Sequence, residues 1–298
     1  MLRHRLVSGP VMILLAVLGA WIDAALDRAP APWDHERTLP PGIIVAPTVL
    51  VLSLLAAREL ARILRGAGIQ ASTSVTCGVA MLGVVIAALV PGTVSGVTGA
   101  AVVSFAVGLV LVGTMIYTAR HKQVQGMIAA AGGSLLSFSL LGLMLGFIVT
   151  LRREHEVWVL LWVLLVTKSS DIGAYTLGRA IGKRKLIGWL SPGKTWEGLF
   201  GAVLFAAILG AIGAVLMQWA GVAGSPDPVW GAGLGVLFAC IGQLGDLVAS
   251  ALKRDAGRKD AGTAVPGFGG VLDVIDSLFL APPIAYWLLP LAAAWPAV

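Results

Sequence analysis

Residues 245–277 read GDLVASALKRDAGRKDAGTAVPGFGGVLDVIDS, and this stretch is the most informative one in the chain. Its two ends are apolar and its middle is hydrophilic. The middle carries four cations, at Lys253, Arg254, Arg258 and Lys259. Because the apolar ends continue outward for roughly the 20 residues that a membrane-crossing helix needs, the stretch is predicted to form two membrane spans joined by a polar loop.

The composition of the whole chain predicts an all-α polytopic membrane protein. Hydrophobic residues make up 58% of the 298 residues and charged residues only 12%, whereas a soluble domain carries about 25% charged residues. The mean hydropathy is +0.91. The two cysteines, Cys77 and Cys240, lie in apolar segments and predict neither a disulfide framework nor a metal site.

Apolar runs of about 20 residues predict about nine transmembrane helices. They cover about 5–26, 42–64, 73–91, 97–118, 126–150, 157–178, 198–221, 229–252 and 270–293. The chain is predicted to be a single integral membrane domain, 1–298. Its lipid-embedded N-terminal spans are expected in 1–150 and its catalytic spans in 157–293, with cytoplasmic loops at 179–197 and 253–269.

The basic residues predict the orientation of the spans. When loops are assigned to alternate sides, the 21 Lys and Arg residues fall on the side of the N-terminus except for Arg28, Arg37, Arg152 and Arg153. Cytoplasmic loops of membrane proteins carry such an excess of Lys and Arg. The sequence therefore predicts a cytoplasmic N-terminus and an external C-terminus.

Three aspartates, Asp246, Asp273 and Asp276, lie inside apolar segments. A carboxylate in such a place is costly to bury and is usually functional or paired with a cation. Asp246 and Asp276 are expected at similar depth, about 9 Å below the ends of their spans, and Asp273 shares a helix face with Asp276. The three are therefore expected to converge on a site for Mg²⁺ and a polyphosphate. The alternative is a set of ion pairs that only hold helices together.

A second polar constellation runs from Lys168 to Gly198 and contains the segment SPGKTWEG. Ser191, Lys194 and Thr195 offer hydrogen-bond donors just before a predicted span, and such a loop at a helix N-terminus is a ready anion site. Lys168 and Asp171 are three residues apart, which fits either a neutralising pair or a direct substrate role.

Other charged residues in the spans receive structural interpretations. Arg58 and Glu59 are interpreted as a structural pair near the interface, and Asp23, near the end of the first span, is expected to reach water.

Together the two constellations resemble the phosphatidate cytidylyltransferases, also called CDP-diacylglycerol synthases. The resemblance covers about 168–283. Its C-terminal signature is carried by Ser250, Lys253, Arg254, Lys259, Asp260, Pro266, Gly267, Gly269, Gly270, Asp273 and Asp276. A second element is carried by Ser191, Pro192, Lys194, Thr195, Glu197 and Gly198. Two residues depart from the signature: Phe268 stands where it has His, and Val274 stands where it has Arg.

The resemblance implies the conversion of CTP and phosphatidic acid to CDP-diacylglycerol and pyrophosphate, at the cytoplasmic face of the bacterial inner membrane. Catalytic roles are expected for Asp246, Asp273, Asp276, Lys253 and Arg254, with the three aspartates as ligands of Mg²⁺. Substrate binding is expected from Ser191, Lys194, Thr195, Glu197, Lys259, Asp260 and Asp171. Membrane lipids are expected partners and nucleic acid is not. A second, monovalent cation and a homodimer are left open.

The residues leave two kinds of alternative open. One is a CTP-dependent lipid kinase, or a cytidylyltransferase for another lipid phosphate. The other is an ion-coupled secondary transporter, which should have broken helices in corresponding positions of two halves. The acids cluster in the C-terminal third of the chain, which favours an enzyme.

Overall fold

The computed structural model describes residues 2–31, 34–93, 96–120 and 124–294. Most of these residues are helical. The α-helices are α1 (Leu2–Leu26), α2 (Val45–Gly66), α3 (Thr73–Thr93), α4 (Gly96–Ala119), α5 (Met127–Leu136), α6 (Leu145–Glu154), α7 (Val157–Ile181), α8 (Trp196–Trp219), α9 (Pro228–Asp255), α10 (Val271–Ile275) and α11 (Ala281–Ala294). A π-helical segment, Ser137–Met144, joins α5 to α6, and a 3-10 turn, Asp276–Leu278, follows α10.

Two short antiparallel hairpins complete the described structure. β1 (Pro30–Ala31) pairs with β2 (Asp34–Thr38), and β3 (Lys185–Ile187) pairs with β4 (Ser191–Thr195). The second hairpin occupies part of 179–197, which the sequence predicted as a loop.

Eight of the predicted spans coincide with helices, or runs of helices, in the described residues that are long and apolar enough to cross a membrane. They are Ser8–Leu26, Thr73–Pro91, Gly96–Ala119, Met127–Glu154, Val157–Ile181, Trp196–Trp219, Pro228–Asp255 and Val271–Ala292. The prediction of an all-α polytopic membrane protein is confirmed.

The ninth predicted span, 42–64, is the helix α2. It is 22 residues long, but Arg58, Glu59, Arg62 and Arg65 make it more polar than the eight apolar spans. Whether it crosses the membrane, and which way the spans are oriented, stay predictions. Among the basic residues behind the orientation, Lys122 and the side chains of Arg3, Arg5 and Arg37 lie outside the described residues.

The chain divides into two compact units. Unit 1 contains Met1–Ser8, Ala46–Thr150 and Leu252–Val274. Part of its core is formed by Ile86, Ala106, Val110 and Phe138, on α3, α4 and the π-helical segment. Side-chain hydroxyls link the helices by hydrogen bonds to backbone carbonyls. Ser53 donates to the Leu141 carbonyl at 2.7 Å, and Ser137 donates to the Thr76 carbonyl at 3.0 Å. Such polar contacts, together with small residues, stabilise helix packing where the surroundings are apolar.

Unit 2 contains Gly9–Val45, Leu151–Ala251 and Ile275–Val298. In it, α7 packs along α8, and the Trp162 indole donates to the Gly210 carbonyl at 3.2 Å.

The expectation that Asp23 reaches water is wrong. Its side chain is buried in unit 2, where it accepts hydrogen bonds from Arg152 Nε at 2.5 Å and from the Ile44 amide at 2.8 Å. The Arg152 guanidinium also pairs with Asp27. The sequence could not show this, because Arg152 is 129 residues away from Asp23.

Candidate active site

Asp246 and Asp276 form a pair of neighbouring carboxyl groups in unit 2. Asp246 lies on α9, and Asp276 begins the 3-10 turn after α10. Their side chains are within hydrogen-bonding distance of each other, and Asp276 is only 5% exposed. The predicted convergence of these two carboxylates is therefore present in the fold.

A glycine on α9 makes this approach possible. A Cβ added to Gly245 would lie 2.3 Å from the Asp276 carbonyl oxygen. Since real Cβ atoms essentially never come so close, only glycine lets α9 lie directly against the turn that carries Asp276.

Cations and an amide surround the carboxyl pair. Lys194 Nζ lies 2.7 Å from Asp246 Oδ2 and donates to the Gln243 carbonyl at 3.3 Å. The charges of Lys168 and Asp171 also act on Asp276. Lys168 is paired with Asp171 at 3.3 Å, as the sequence allowed, and Asp171 accepts a hydrogen bond of 3.4 Å from the Gln243 side-chain amide. Gln243 did not emerge from the sequence because an amide in an apolar helix carries no charge signal.

The SPGKTWEG segment is β4 followed by the first turn of α8. Thr195 is buried and caps α8, because its hydroxyl accepts a hydrogen bond of 3.1 Å from the Gly198 amide. Glu197 accepts bonds of 3.1 to 3.3 Å from the amides of Lys183 and Arg184. These contacts tie the hairpin to the start of α8. They hold Lys194, near the end of β4, in a fixed position, whereas Ser191 lies at the other end of that strand, paired with Ile187.

Asp273 has a different set of partners, all in unit 1. Lys253 Nζ lies 2.5 Å from its Oδ1 atom, and the amides of Ala261 and Gly270 donate to its Oδ2 atom at 2.8 Å each. This carboxylate therefore organises the polar segment between α9 and α10.

Glu59, interpreted from the sequence as a partner of Arg58, binds the same segment from α2. The amides of Val271 and Leu272 donate to its two carboxylate oxygens at 3.0 and 2.8 Å, and its side chain is buried. A Cβ added to Gly270 would lie 2.3 Å from Glu59 Oε2. Glu59 thus anchors the start of α10, a role that a separation of 212 residues concealed.

Three cations line an open cavity of about 490 Å³ in unit 1. They are Arg62 on α2 and, in the polar segment, Arg258 and Lys259, with Asp260 beside them. The sequence analysis predicted Lys259 and Asp260 as substrate-binding residues. It did not predict Arg62, because the positive charge of Arg62 was explained by the orientation of its span in the membrane. Arg254 is exposed and donates to the Arg258 carbonyl at 3.0 Å.

The turn that departs from the family signature is closed by its backbone. Val265 and Gly269 exchange two hydrogen bonds, at 2.8 and 3.0 Å, and the Phe268 amide donates to Val265 at 3.1 Å. Phe268 therefore occupies a tight turn whose bonds are made by the backbone and do not need a histidine side chain.

The predicted site residues thus fall into two groups, each within one unit. Asp171, Lys194, Asp246 and Asp276 lie close together in unit 2, with the hairpin beside them. The other group lies in unit 1, with Lys259 and Asp260 in the polar segment, Lys253 at the end of α9 and Asp273 on α10. Within the described residues no cluster of three or more His, Cys, Asp or Glu side chains is arranged to hold a metal ion, so the three-aspartate metal site stays a prediction.

Comparisons with known proteins agree with these motifs. A family model described as the cytidylyltransferase family matches residues 38–292. The phosphatidate cytidylyltransferase of Haemophilus influenzae is 39% identical over 156 residues, which are 50% of this chain and 54% of that protein. That of Bacillus subtilis is 38% identical over 154 residues, 51% of this chain and 55% of that protein. That of Synechocystis sp. is 37% identical over 149 residues, 49% of this chain and 44% of that protein.

In these comparisons the chain spans about half the length of the curated relatives it matches. The family match is wider, since it takes in most of the residues, from the end of β2 into α11. The chain belongs to the cytidylyltransferase family.

Proposed function

We propose that this protein transfers the cytidylyl group of CTP to phosphatidic acid, giving CDP-diacylglycerol and pyrophosphate. The observation that carries the proposal is the pair Asp246–Asp276 with Lys194 against it. Burying Asp276 beside a second carboxyl group is costly, and ionisable groups within membrane-spanning segments are typically functional. The names of the relatives supply the substrates.

Both carboxyl groups of the pair fit a magnesium ion. Mg²⁺ prefers oxygen ligands and is usually bound by one or two carboxylates together with substrate phosphates and water. In our proposal Asp246 and Asp276 hold the ion, and Asp273 keeps the polar segment folded. Whether Asp273 also binds the metal is tested by the Asp273→Asn variant. The ion, when bound, would neutralise phosphate charge. A second, monovalent cation remains an open part of the proposal.

The protein's own residues would act mainly by binding and orienting two polyanions. A phosphate oxygen of the lipid attacks the α-phosphorus of CTP, the bond from that phosphorus to the bridging oxygen breaks, and pyrophosphate leaves. The attacking oxygen is already anionic near neutral pH, so no general base is needed. Lys194 and Lys168 would stabilise charge on the phosphates. In unit 1, Arg62, Arg258 and Lys259 line an open cavity of their own, and the Lys253–Asp273 pair keeps the polar segment in place.

We place the reaction at the cytoplasmic face of the bacterial inner membrane. The relatives are bacterial, the substrate CTP is a cytoplasmic nucleotide, and the residues of the proposed site lie on the side predicted to be cytoplasmic.

The test is product formation by purified full-length protein in detergent. CTP with phosphatidic acid should release pyrophosphate and form CDP-diacylglycerol, and a chelator should abolish both. A CTP-dependent lipid kinase would instead yield CDP from CTP and diacylglycerol. A polyprenyl phosphate in place of phosphatidic acid tests for a different lipid acceptor. If folded protein forms no CDP-diacylglycerol with excess Mg²⁺, the proposal is wrong.

A further inference from the structure

Unit 1 contains a second cavity, of about 310 Å³, that includes none of the predicted site residues. It lies where the end of α2 meets the start of α3 and where the end of α4 meets the start of α5. Seven of its lining residues have polar side chains: Arg65, Gln70, Ser72, Thr114, Tyr117, Thr118 and Ser134. We call it the α2–α5 cavity.

The cavity is built to receive an anion. Its described lining residues include a guanidinium and several hydroxyl groups but no carboxylate. Arg65 is held in place, because its Nη1 atom donates to the Ala71 carbonyl and to Thr73 Oγ1 at 2.9 Å each. The Tyr117 hydroxyl lies 3.2 Å from that of Ser72, and the Arg120 guanidinium lies over the Tyr117 ring, 3.6 Å from its centre. Arg120 therefore brings a second positive charge to the Tyr117 side chain.

Thr114 gives an independent sign of a ligand. It lies on α4, faces the cavity and is only 5% exposed, and its hydroxyl has no hydrogen-bond partner among the described residues. A buried hydroxyl without a partner is costly, and nearly all such groups in folded proteins are satisfied. The Oγ1 atom itself has almost no accessible surface, so the side chain must rotate about χ1 before an acceptor oxygen of a ligand in the cavity can satisfy it.

The position of the cavity along the helices identifies the class of ligand. The cavity lies at the ends of four helices. Of these, α3 and α4 are long and apolar enough to span a membrane, and α5 begins a third such span. The ends of such helices lie at the level of the lipid headgroups. We propose that the α2–α5 cavity binds the phosphate of an anionic phospholipid headgroup, with Arg65 and the hydroxyls of Thr114 and Tyr117 around it. This lipid is distinct from the substrate, and its binding does not depend on the proposed reaction.

Lipid binding can be measured by native mass spectrometry of the full-length protein in detergent. The probe is phosphatidylglycerol, compared with phosphatidylcholine, without CTP or phosphatidic acid. Wild-type protein is expected to bind phosphatidylglycerol at least ~10-fold more tightly. Both lipids carry the phosphate, but only phosphatidylcholine adds a quaternary ammonium, whose positive charge the Arg65 guanidinium repels. Arg65→Gln should lose about tenfold and Thr114→Val about threefold of that affinity.

Thr114→Val keeps the test independent of folding. The substitution preserves shape and removes a hydroxyl that makes no described bond, so the lipid-free variant should unfold at or above the wild-type temperature. Arg153→Gln and Thr176→Val, which change the same residue types outside the cavity, should bind like wild type. The proposal is overturned if both lipids bind equally, or if Arg65→Gln and Thr114→Val both bind phosphatidylglycerol normally. Displacement of the lipid by millimolar inorganic phosphate would assign the cavity to soluble phosphate and also overturn it.

Discussion

Lys253 Nζ lies 2.5 Å from Asp273 Oδ1, and the two side chains are only 9% and 7% exposed. The pair connects the last turn of α9 to the first turn of α10, across the polar segment that carries much of the family signature. A buried pair of this kind is not in itself a large source of stability. Removing one partner, however, leaves the other charge buried without compensation.

We therefore expect Asp273→Asn and Lys253→Met each to destabilise the protein by about 3–5 kcal/mol. The double variant should be less destabilised than the sum of the two, because neither charge is then left alone. Thermal unfolding in detergent measures both effects, with Asp255→Asn, an exposed carboxylate at the end of α9, as the control. Wild-type stability in Asp273→Asn together with lost activity would instead identify Asp273 as a metal ligand.

The second prediction concerns the carboxyl pair. Asp246→Asn and Asp276→Asn should each lower turnover at least ~10–100-fold, the size seen even when groups supporting a metal ligand are changed. Neither should unfold the protein, because an amide can keep the neighbouring hydrogen bonds. Pyrophosphate release at saturating Mg²⁺ is the measurement, and Asp227→Asn, before the start of α9, should be unaffected. Near-normal turnover of either variant would exclude that carboxylate from the site.

Lys194 provides a third prediction, about binding. Its ammonium pairs with Asp246 at 2.7 Å and is positioned by the β3–β4 hairpin. If it binds a CTP phosphate, Lys194→Met should raise the KM for CTP about tenfold, the effect expected from the loss of one charge-assisted contact. Lys183→Gln, in which an exposed lysine before the hairpin is changed, is the matched control. An unchanged KM with wild-type turnover would show that Lys194 only neutralises Asp246.

The membrane spans could be predicted because an apolar run of about 20 residues is a local property of the sequence. Eight predicted spans match helices, and the Lys168–Asp171 pair follows from a spacing of three residues on one helix. The β3–β4 hairpin could not be predicted, since strands of three and five residues carry too little periodicity to be distinguished from a loop.

The partners of the buried charges were harder to predict for a different reason. Asp23 and Glu59 each lie in a helix whose sequence does not indicate which distant residue they bind. Both bind groups more than 100 residues away. The partners of Asp273 could not be predicted from residue spacing either, although they are close to it in sequence. A spacing of three residues placed it with Asp276, but hydrogen bonds to Lys253 and to two backbone amides decide what its carboxylate does.

A fourth prediction follows from the contact of Glu59 with α10. Glu59→Gln replaces one accepting oxygen by an amide that cannot accept, so one of the amides of Val271 and Leu272 loses its partner. We expect a loss of stability of about 1–3 kcal/mol and a parallel loss of activity. Gly270→Ala should have a similar effect, because its Cβ would lie 2.3 Å from Glu59 Oε2. Gly193→Ala, where nothing lies within 4 Å of the added Cβ, is the control. Full stability in both Glu59→Gln and Gly270→Ala would contradict the anchoring role.

The last prediction decides whether α2 crosses the membrane. A helix of 22 residues is about 33 Å long, which is enough to cross the hydrocarbon core. Its charges lie in its second half: Glu59 is bonded to backbone amides, and Arg62 and Arg65 are close enough to the end to reach the interface. We therefore expect α2 to be the ninth span, with Gln70 on the cytoplasmic side and Thr38 outside.

Single cysteines test this orientation, placed at Thr38 and Gln70 in protein whose Cys77 and Cys240 are replaced by alanine. A membrane-impermeant maleimide added to spheroplasts should label Thr38→Cys only, and Gln70→Cys should react only after the membrane is opened. The ends of α8 provide the control: Ala223→Cys should react from outside and Arg184→Cys only after opening. Labelling of Thr38→Cys and Gln70→Cys from the same side, with the α8 control intact, would place α2 along the membrane surface and reduce the number of crossings to eight.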